Sequence, residues 1–287
     1  MLKNNDNKKI NQINWLRSIG VEYYCSSSPS HYETTNRHCE GASLLWQSHS
    51  SGVMASEIDP SCLRAPRNDG LSHEIATVSS RPSNERSARS LSDSAQNLDE
   101  LKQYVLNFDG CNLKQLANNT VFGDGNKDAI VMLIGEAPGA KEDASGIPFC
   151  GDSGKLLDRM LSSVNISRLN NAYITNVVFW RPPANRQPTN EEVEICRPFV
   201  EKHIALINPK LIILVGNVAA TSLLGKNLGI TKIRQEYYLY SNQYLTKPIY
   251  TTAIFHPAYL LRQPTQKKTS WYDLIRIKEF LDLSVKR

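Results

Sequence analysis

No apolar run in this chain of 287 residues reaches the roughly 18 residues that a membrane-spanning helix needs. The opening residues, MLKNNDNKKINQ, carry basic side chains but no apolar h-region. No signal peptide is therefore expected, and a cytoplasmic location is. The six cysteines fall at no regular spacing, which argues against a disulfide framework. No GxGxxG follows an apolar run, so the dinucleotide-binding reading fails; no P-loop and no GxSxG elbow occur either. Charge of one sign is also scarce. A net +5 is too small to name a partner, but its distribution says more. From residue 201 onward there are 13 Lys and Arg against 5 Asp and Glu. A basic C-terminal third suits a phosphate backbone; a solvated surface is the other reading.

What is present centres on residues 131–154, VMLIGEAPGAKEDASGIPFCGDSG. The apolar run 129–134 has the length and composition of a buried strand. It breaks at GEAPG, whose two glycines and proline allow a tight turn and close backbone approach to a ligand. Acidic Glu142 and Asp143 follow, then Pro148 and Phe149, then a helix from about Gly154. A strand end thus delivers a carboxylate, backbone N–H groups and an aromatic face to one place. In open α/β sheets, ligands sit outside the carboxyl ends of the strands.

The flanking chain reads as follows. Residues 8–24 carry Ile10, Ile13, Leu16 and Ile19 at helical spacing and predict a short N-terminal helix within 1–25. Residues 26–94 hold 18 serines in 69 residues, without sustained periodicity. Such a composition does not bury enough apolar surface to offset its ordering entropy, so a disordered insertion is expected. The catalytic domain is expected over 95–287. Helices are predicted over 99–108, 154–164, 190–207, 217–224 and 268–285, and strands over 129–134, 172–179, 211–215 and 249–255. Thr189 with Glu192 has the spacing of a capping box. Residues 231–246, rich in tyrosine, read as a small antiparallel excursion. Strands alternating with helices imply an α/β fold, a three-layer α/β/α arrangement about a central four-stranded parallel sheet.

Such a sheet brings three strand ends to one edge: Glu136 with Glu142, Asn176, and His256. Each has a bland alternative: a helix-capping carboxylate, a turn residue, a structural histidine. Three polar residues at three strand ends point instead to a site.

Three motifs in this order, GEAPGAKEDASGIPFCG, YITNVVFWRPPANRQPT and FHPAYLLRQP, resemble those of the type 4 uracil-DNA glycosylases, within the wider uracil-DNA glycosylase superfamily. The resemblance covers about 108–281. It implies excision of uracil, arising from cytosine deamination, from single- or double-stranded DNA by a monomer that needs no membrane. A catalytically weak, damaged-DNA-binding or DNA-trapping protein on the same scaffold is the alternative.

The chemistry suits these residues. A flipped-out pyrimidine needs an aromatic face, which Phe149 supplies, and a paired donor and acceptor, which the Asn176 carboxamide supplies. Uracil leaves as an anion, so a donor at its O2 lowers the barrier, and His256 is placed for that. The sugar becomes oxocarbenium-like, and Glu136 is the first candidate to orient water or stabilise that cation. Glu142, by similarity, lines the pocket near the uracil C5 position. Gly135, Ala137 and Pro138 belong to the substrate-binding turn. Ala137 stands where commoner superfamily members carry Asp, so a strong general base is absent there. Toward DNA, Leu260 or Leu261 is a candidate wedge into the base stack, with Arg262 on phosphate and Asn185 beside them. Core packing is the other reading of both leucines.

The resemblance also implies a 4Fe–4S cluster on four cysteines. Laid on that pattern, this chain puts Phe108 first, Cys111 second, Trp180 third and Cys196 fourth. Two thiolates are too few for an ordinary cubane. No cofactor is therefore expected, with Cys111 and Cys196 the remnants of a metal site. Cys150 sits in the pocket motif and is a poor substitute.

Overall fold

The computed structural model describes residues 83–225 and 229–285. The helix expected within 1–25 and most of the Ser-rich segment lie outside the described residues. Among the described residues the strands are β1 (Asp124–Gly125), β2 (Val131–Gly135), β3 (Ala172–Asn176), β4 (Leu211–Val215), β5 (Tyr238–Tyr240) and β6 (Ile249–Ile254). They form one sheet in the order β1-β3-β2-β4-β6-β5. The four parallel strands expected from the sequence are its centre. The sheet is wider than expected, because β1 and β5 each add a short antiparallel strand at an edge.

The central strands are apolar at consecutive positions because both faces are covered. Side chains alternate between the two layers, as strand geometry requires. Met132, Ile134, Ile212 and Leu214 join one core, with Leu101, Val105, Phe179 and Phe199. Val131, Leu133, Leu211, Ile213 and Val215 join the other, with Leu156, Leu157, Met160 and Leu274. Helices α1 (Ser83–Ser94), α2 (Leu98–Asn107) and α6 (Asn190–Ile207) contribute to the first layer. Helices α5 (Asp152–Ser162) and α10 (Lys267–Val285) contribute to the second. The shorter helices are α3 (Asn112–Leu116), α4 (Ala140–Ser145), α7 (Asn217–Leu224) and α8 (Ile230–Ile233). The capping box opening α6 is present. Glu192 N donates to Thr189 Oγ1 at 3.2 Å, and Thr189 N donates to Glu192 Oε2 at 2.7 Å.

One boundary read from composition needs correction. Residues 83–94 are not part of a disordered insertion; they form α1, which packs along α6. Ala88 and Ser92, one turn apart, are fully buried. Arg89 pairs with Glu201 on α6, and the Tyr244 hydroxyl donates to Asp93 at 2.6 Å. The helix docks through small side chains, a partly buried ion pair and Leu91, which packs against the first core. An average over 69 residues hides that device, since local tertiary contact overrides composition.

Close approach at Ala88 makes this docking testable. Ala88→Leu should destabilise the fold by about 1–3 kcal/mol through overpacking. Ser90→Leu, on the exposed side of the same helix, should change it by less than about 0.5 kcal/mol. Equal urea midpoints for the two variants would show that α1 is not packed on the domain.

Candidate active site

β2 and β3 run in parallel with Gly135 opposite Asn176. This register sets the pocket. A Cβ at Gly135 would lie 2.4 Å from Asn176 Oδ1 and 2.5 Å from Phe149 Cζ. The carboxamide and the ring therefore meet above a position that only glycine can occupy. Asn176 is 1% exposed, yet neither its Nδ2 nor its Oδ1 has a hydrogen-bond partner. Leaving such a group unsatisfied costs about 1–3 kcal/mol. It is a donor–acceptor pair prepared for something that enters the pocket. Phe149 is buried and its backbone is left-handed, at φ 52°, which is uncommon for a bulky residue and marks a constrained position.

His256 closes the third side. It is the N-cap of α9 (Pro257–Arg262), with Nδ1 accepting from Ala258 N at 3.2 Å. The proton of the neutral ring is thereby assigned to Nε2, which remains a donor. Burial, with a smaller contribution from Arg262, lowers its pKa to about 4, against an opposing pull from Glu142. The imidazole centroid lies 5.7 Å from that of Phe149. Beneath it lies Gly216, at the end of β4, with φ 95°. A Cβ there would come within 3.1 Å of His256 Cβ. The sequence signal for Gly216 is a glycine directly after an apolar strand.

The carboxylates divide their work. Glu136 is half-buried and has its pKa raised by burial, as suits a group that handles water at a dry site. Glu142, expected among the catalytic groups, is held differently. Its Oε2 accepts from Gly139 N at 3.1 Å and its Oε1 from Gly151 N at 2.9 Å. Both oxygens brace the two ends of the motif, so the structure gives Glu142 an architectural part. Asp143 braces the same motif from below. It is buried and accepts from Asn118 N at 2.8 Å, Asn118 Nδ2 at 2.6 Å and Asn119 N at 3.2 Å. Pro138 is buried and Ala137 half-buried in the turn.

Toward solvent, the two leucines separate. Leu260 is fully buried in the second core, so it is not a wedge; Leu261 is 43% exposed and keeps that candidacy. Helical spacing explains the split, since adjacent residues on α9 face different ways. Arg262 is exposed. Asn185 is exposed and left-handed at φ 55°, with its Oδ1 accepting from Arg181 Nε at 2.8 Å.

The four positions of the implied cluster lie in the first core. Phe108, Cys111, Trp180 and Cys196 are all buried there. Phe108 packs edge-on against Phe199 at 5.1 Å between centroids. The Trp180 indole donates from Nε1 to Thr120 Oγ1 at 2.9 Å. Cys111 and Cys196 are hydrogen-bonded to each other, and that bond together with burial holds the Cys196 thiol well above its ordinary range. Two aromatic rings and two paired thiols do not fit a four-thiolate cluster. Among the described residues no group of three His, Cys, Asp or Glu is placed to hold a metal ion.

Asn176, Phe149 and His256 meet at the carboxyl edge of this sheet, inside the segment that a family model matches. Residues 122–279 match the model of the uracil DNA glycosylase superfamily, and the chain belongs to that superfamily. Within it, the chain is similar to proteins named type-4 uracil-DNA glycosylase. It is 37% identical to that of Sulfurisphaera tokodaii over 186 residues, 63% of this chain and 84% of the relative. It is 37% identical to that of Archaeoglobus fulgidus over 186 residues, 64% and 93% of the two chains. The Thermotoga maritima relative is also 37% identical, over 60% of this chain and 88% of its own.

Gly135 gives the sharpest test of the geometry. Gly135→Ala should leave the fold intact by circular dichroism but displace Asn176 or Phe149, with a loss of about tenfold to a hundredfold in uracil release, as for misplacements near 1 Å. Wild-type kinetics from a folded Gly135→Ala would mean that the close approach has no functional consequence.

Proposed function

We propose that this protein excises uracil from DNA by hydrolysing the N-glycosidic bond, after the nucleotide has been turned out of the base stack. The observation that carries the reading is the buried Asn176 carboxamide with both polar atoms unpartnered, next to the Phe149 ring, which in turn faces the neutral His256 imidazole. Uracil presents an N–H and a carbonyl on one edge, so it satisfies that carboxamide with two hydrogen bonds. Cytosine presents a different pattern on the same edge. Phe149 covers the flat face of the base. As the glycosidic bond lengthens, negative charge collects on uracil O2, and the His256 Nε2–H stabilises it. Because the ring is neutral, this donor acts by hydrogen bonding and does not hand over a full proton. Glu136 orients the water that attacks the electron-poor anomeric carbon. With Ala137 beside it rather than an acid, leaving-group stabilisation and positioning supply most of the acceleration.

The same reading has the enzyme work without a 4Fe–4S cluster. The Phe108 and Trp180 rings take the volume of two ligands, and close packing leaves no vacancy to fill. Protein purified without oxygen should be colourless, contain no stoichiometric iron, and stay active in a chelator. A brown, active preparation with stoichiometric iron and sulfide would overturn this.

The activity itself is tested with a uracil-containing oligonucleotide cleaved at abasic sites by alkali. His256→Ala should lower single-turnover uracil release by roughly a hundredfold or more, as when one preorganised donor is lost. The acid side of the pH profile separates the two groups. His256 gains its proton only near pH 4. Glu136, with its pKa raised by burial, is inactivated as pH falls through that pKa. Glu136→Gln should therefore flatten the acid limb, whereas a limb centred near 6.5 would assign it to an unperturbed histidine instead.

A further inference from the structure

The left-handed bend at Phe149 has an agent that holds it. Arg168 lies in the turn between α5 and β3, far from the pocket motif in sequence. Its side chain is 16% exposed. Nη1 donates to Pro148 O at 2.6 Å and Nη2 to Phe149 O at 2.7 Å. The other side of the guanidinium is fixed by two carboxylates: Nε donates to Asp158 Oδ1 at 2.9 Å, and Nη1 to Asp124 Oδ2 at 3.2 Å. A planar fork with its donors in fixed directions suits two successive carbonyls. Gly154 seals the opposite side, where a Cβ would lie 1.7 Å from Phe149 O. The Phe149 carbonyl is thus trapped between the first turn of α5 and the guanidinium. A left-handed conformation is disfavoured at a bulky residue and persists only where the surroundings impose it.

We infer that Arg168 is a positioning residue for base excision: by holding the Pro148–Phe149 backbone in its left-handed bend, it presents the Phe149 ring to the base. Among its hydrogen bonds Arg168 makes none to the carboxamide or imidazole of the pocket; those on the pocket side go to the Pro148 and Phe149 carbonyls. This rests on the uracil-excision reading. It gives Asp124, on the edge strand, and Asp158, on α5, a part in the same support.

The test is a double-mutant cycle on the full chain, reading single-turnover uracil release with the fold checked by circular dichroism. Arg168→Ala should slow release about tenfold to a hundredfold, the range for a misplaced contact to substrate. In a Phe149→Ala background, where there is no ring to place, the same change should cost no more than about twofold, since coupled positions do not add. Arg168→Lys keeps the charge but not the fork. It should show a smaller loss in the wild-type background and none in Phe149→Ala, and it carries the test if Arg168→Ala does not fold. Guanidinium ion should partly restore Arg168→Ala and leave Phe149→Ala unmoved. Equal losses in both backgrounds, or wild-type rates from folded Arg168 variants beside an active wild type, overturn the clamp alone. A wild type that releases no uracil overturns the functional reading, and the clamp falls with it.

Discussion

The pocket depends on one contact that a side chain would forbid. Gly135 ends β2 directly opposite Asn176 on β3, and the carboxamide and the Phe149 ring occupy the space where a Cβ would be. Everything else about the site follows from keeping those two groups in place. The parallel register fixes Asn176, because a slip by one residue would turn its side chain to the other face of the sheet. The loop after β2 fixes Phe149, and that loop is short of regular structure. Its shape is supplied by groups that reach in from elsewhere. Glu142 ties Gly139 to Gly151, Asp143 ties α4 to residues 118 and 119, and Arg168 takes the Pro148 and Phe149 carbonyls. A binding loop thus acquires the precision of the sheet it hangs from, which is what a preorganised site requires.

How much of this could be read from the residues depends on scale. Strands buried on both faces announce themselves as apolar runs, so β2 and β4 were legible nearly to the residue. The capping box at Thr189 located α6, and the strand-end polar residues located the pocket. Short pieces were not legible. β1 is two residues long and α9 is six, below the length at which periodicity carries a signal. The helix α1 was missed because Ala88 and Ser92 are not conspicuous residues, although their small size is what lets α1 approach α6. Leu260 and Leu261 look alike in the sequence, and only the direction of each on α9 separates a core residue from an exposed one. The resemblance places Glu142 on the pocket wall near the uracil C5 position. That both oxygens are taken by backbone N–H groups is a matter of three-dimensional path. His203 is a further case: a fully buried histidine stacked on Phe122 at 4.3 Å, with its pKa lowered by burial to about 3, and no local pattern foretells it.

The two histidines of the interior show how environment sorts like residues into unlike parts. Both are depressed by burial, His203 to about 3 and His256 to about 4. His203 has neither ring nitrogen partnered and sits among aromatic rings, so it serves as an apolar plate. His256 has Nδ1 engaged by Ala258 N, which leaves a directed Nε2–H at the pocket. The difference is not the pKa but whether one nitrogen is committed, since only a committed ring has a defined tautomer and a fixed aim. A depressed pKa without that commitment says only that the group is buried.

The cysteine positions and the pocket lie in different layers of the fold. Phe108, Cys111, Trp180 and Cys196 belong to the core on one side of the sheet, whereas Phe149 belongs to the core on the other. The chain passes from one region to the other along β3, whose last residue is Asn176 and whose continuation, Val177 to Trp180, is buried throughout. Trp180 is therefore the anchor of the chain that leaves the pocket. A hollow at that point would let the continuation shift and would carry Asn176 with it, because only three residues, all buried, separate Trp180 from Asn176. An indole packed against Phe179 at 6.0 Å between centroids and hydrogen-bonded to Thr120 holds the chain there by packing. What the pocket requires from the far layer is immobility, and filled volume supplies that without a reacting group.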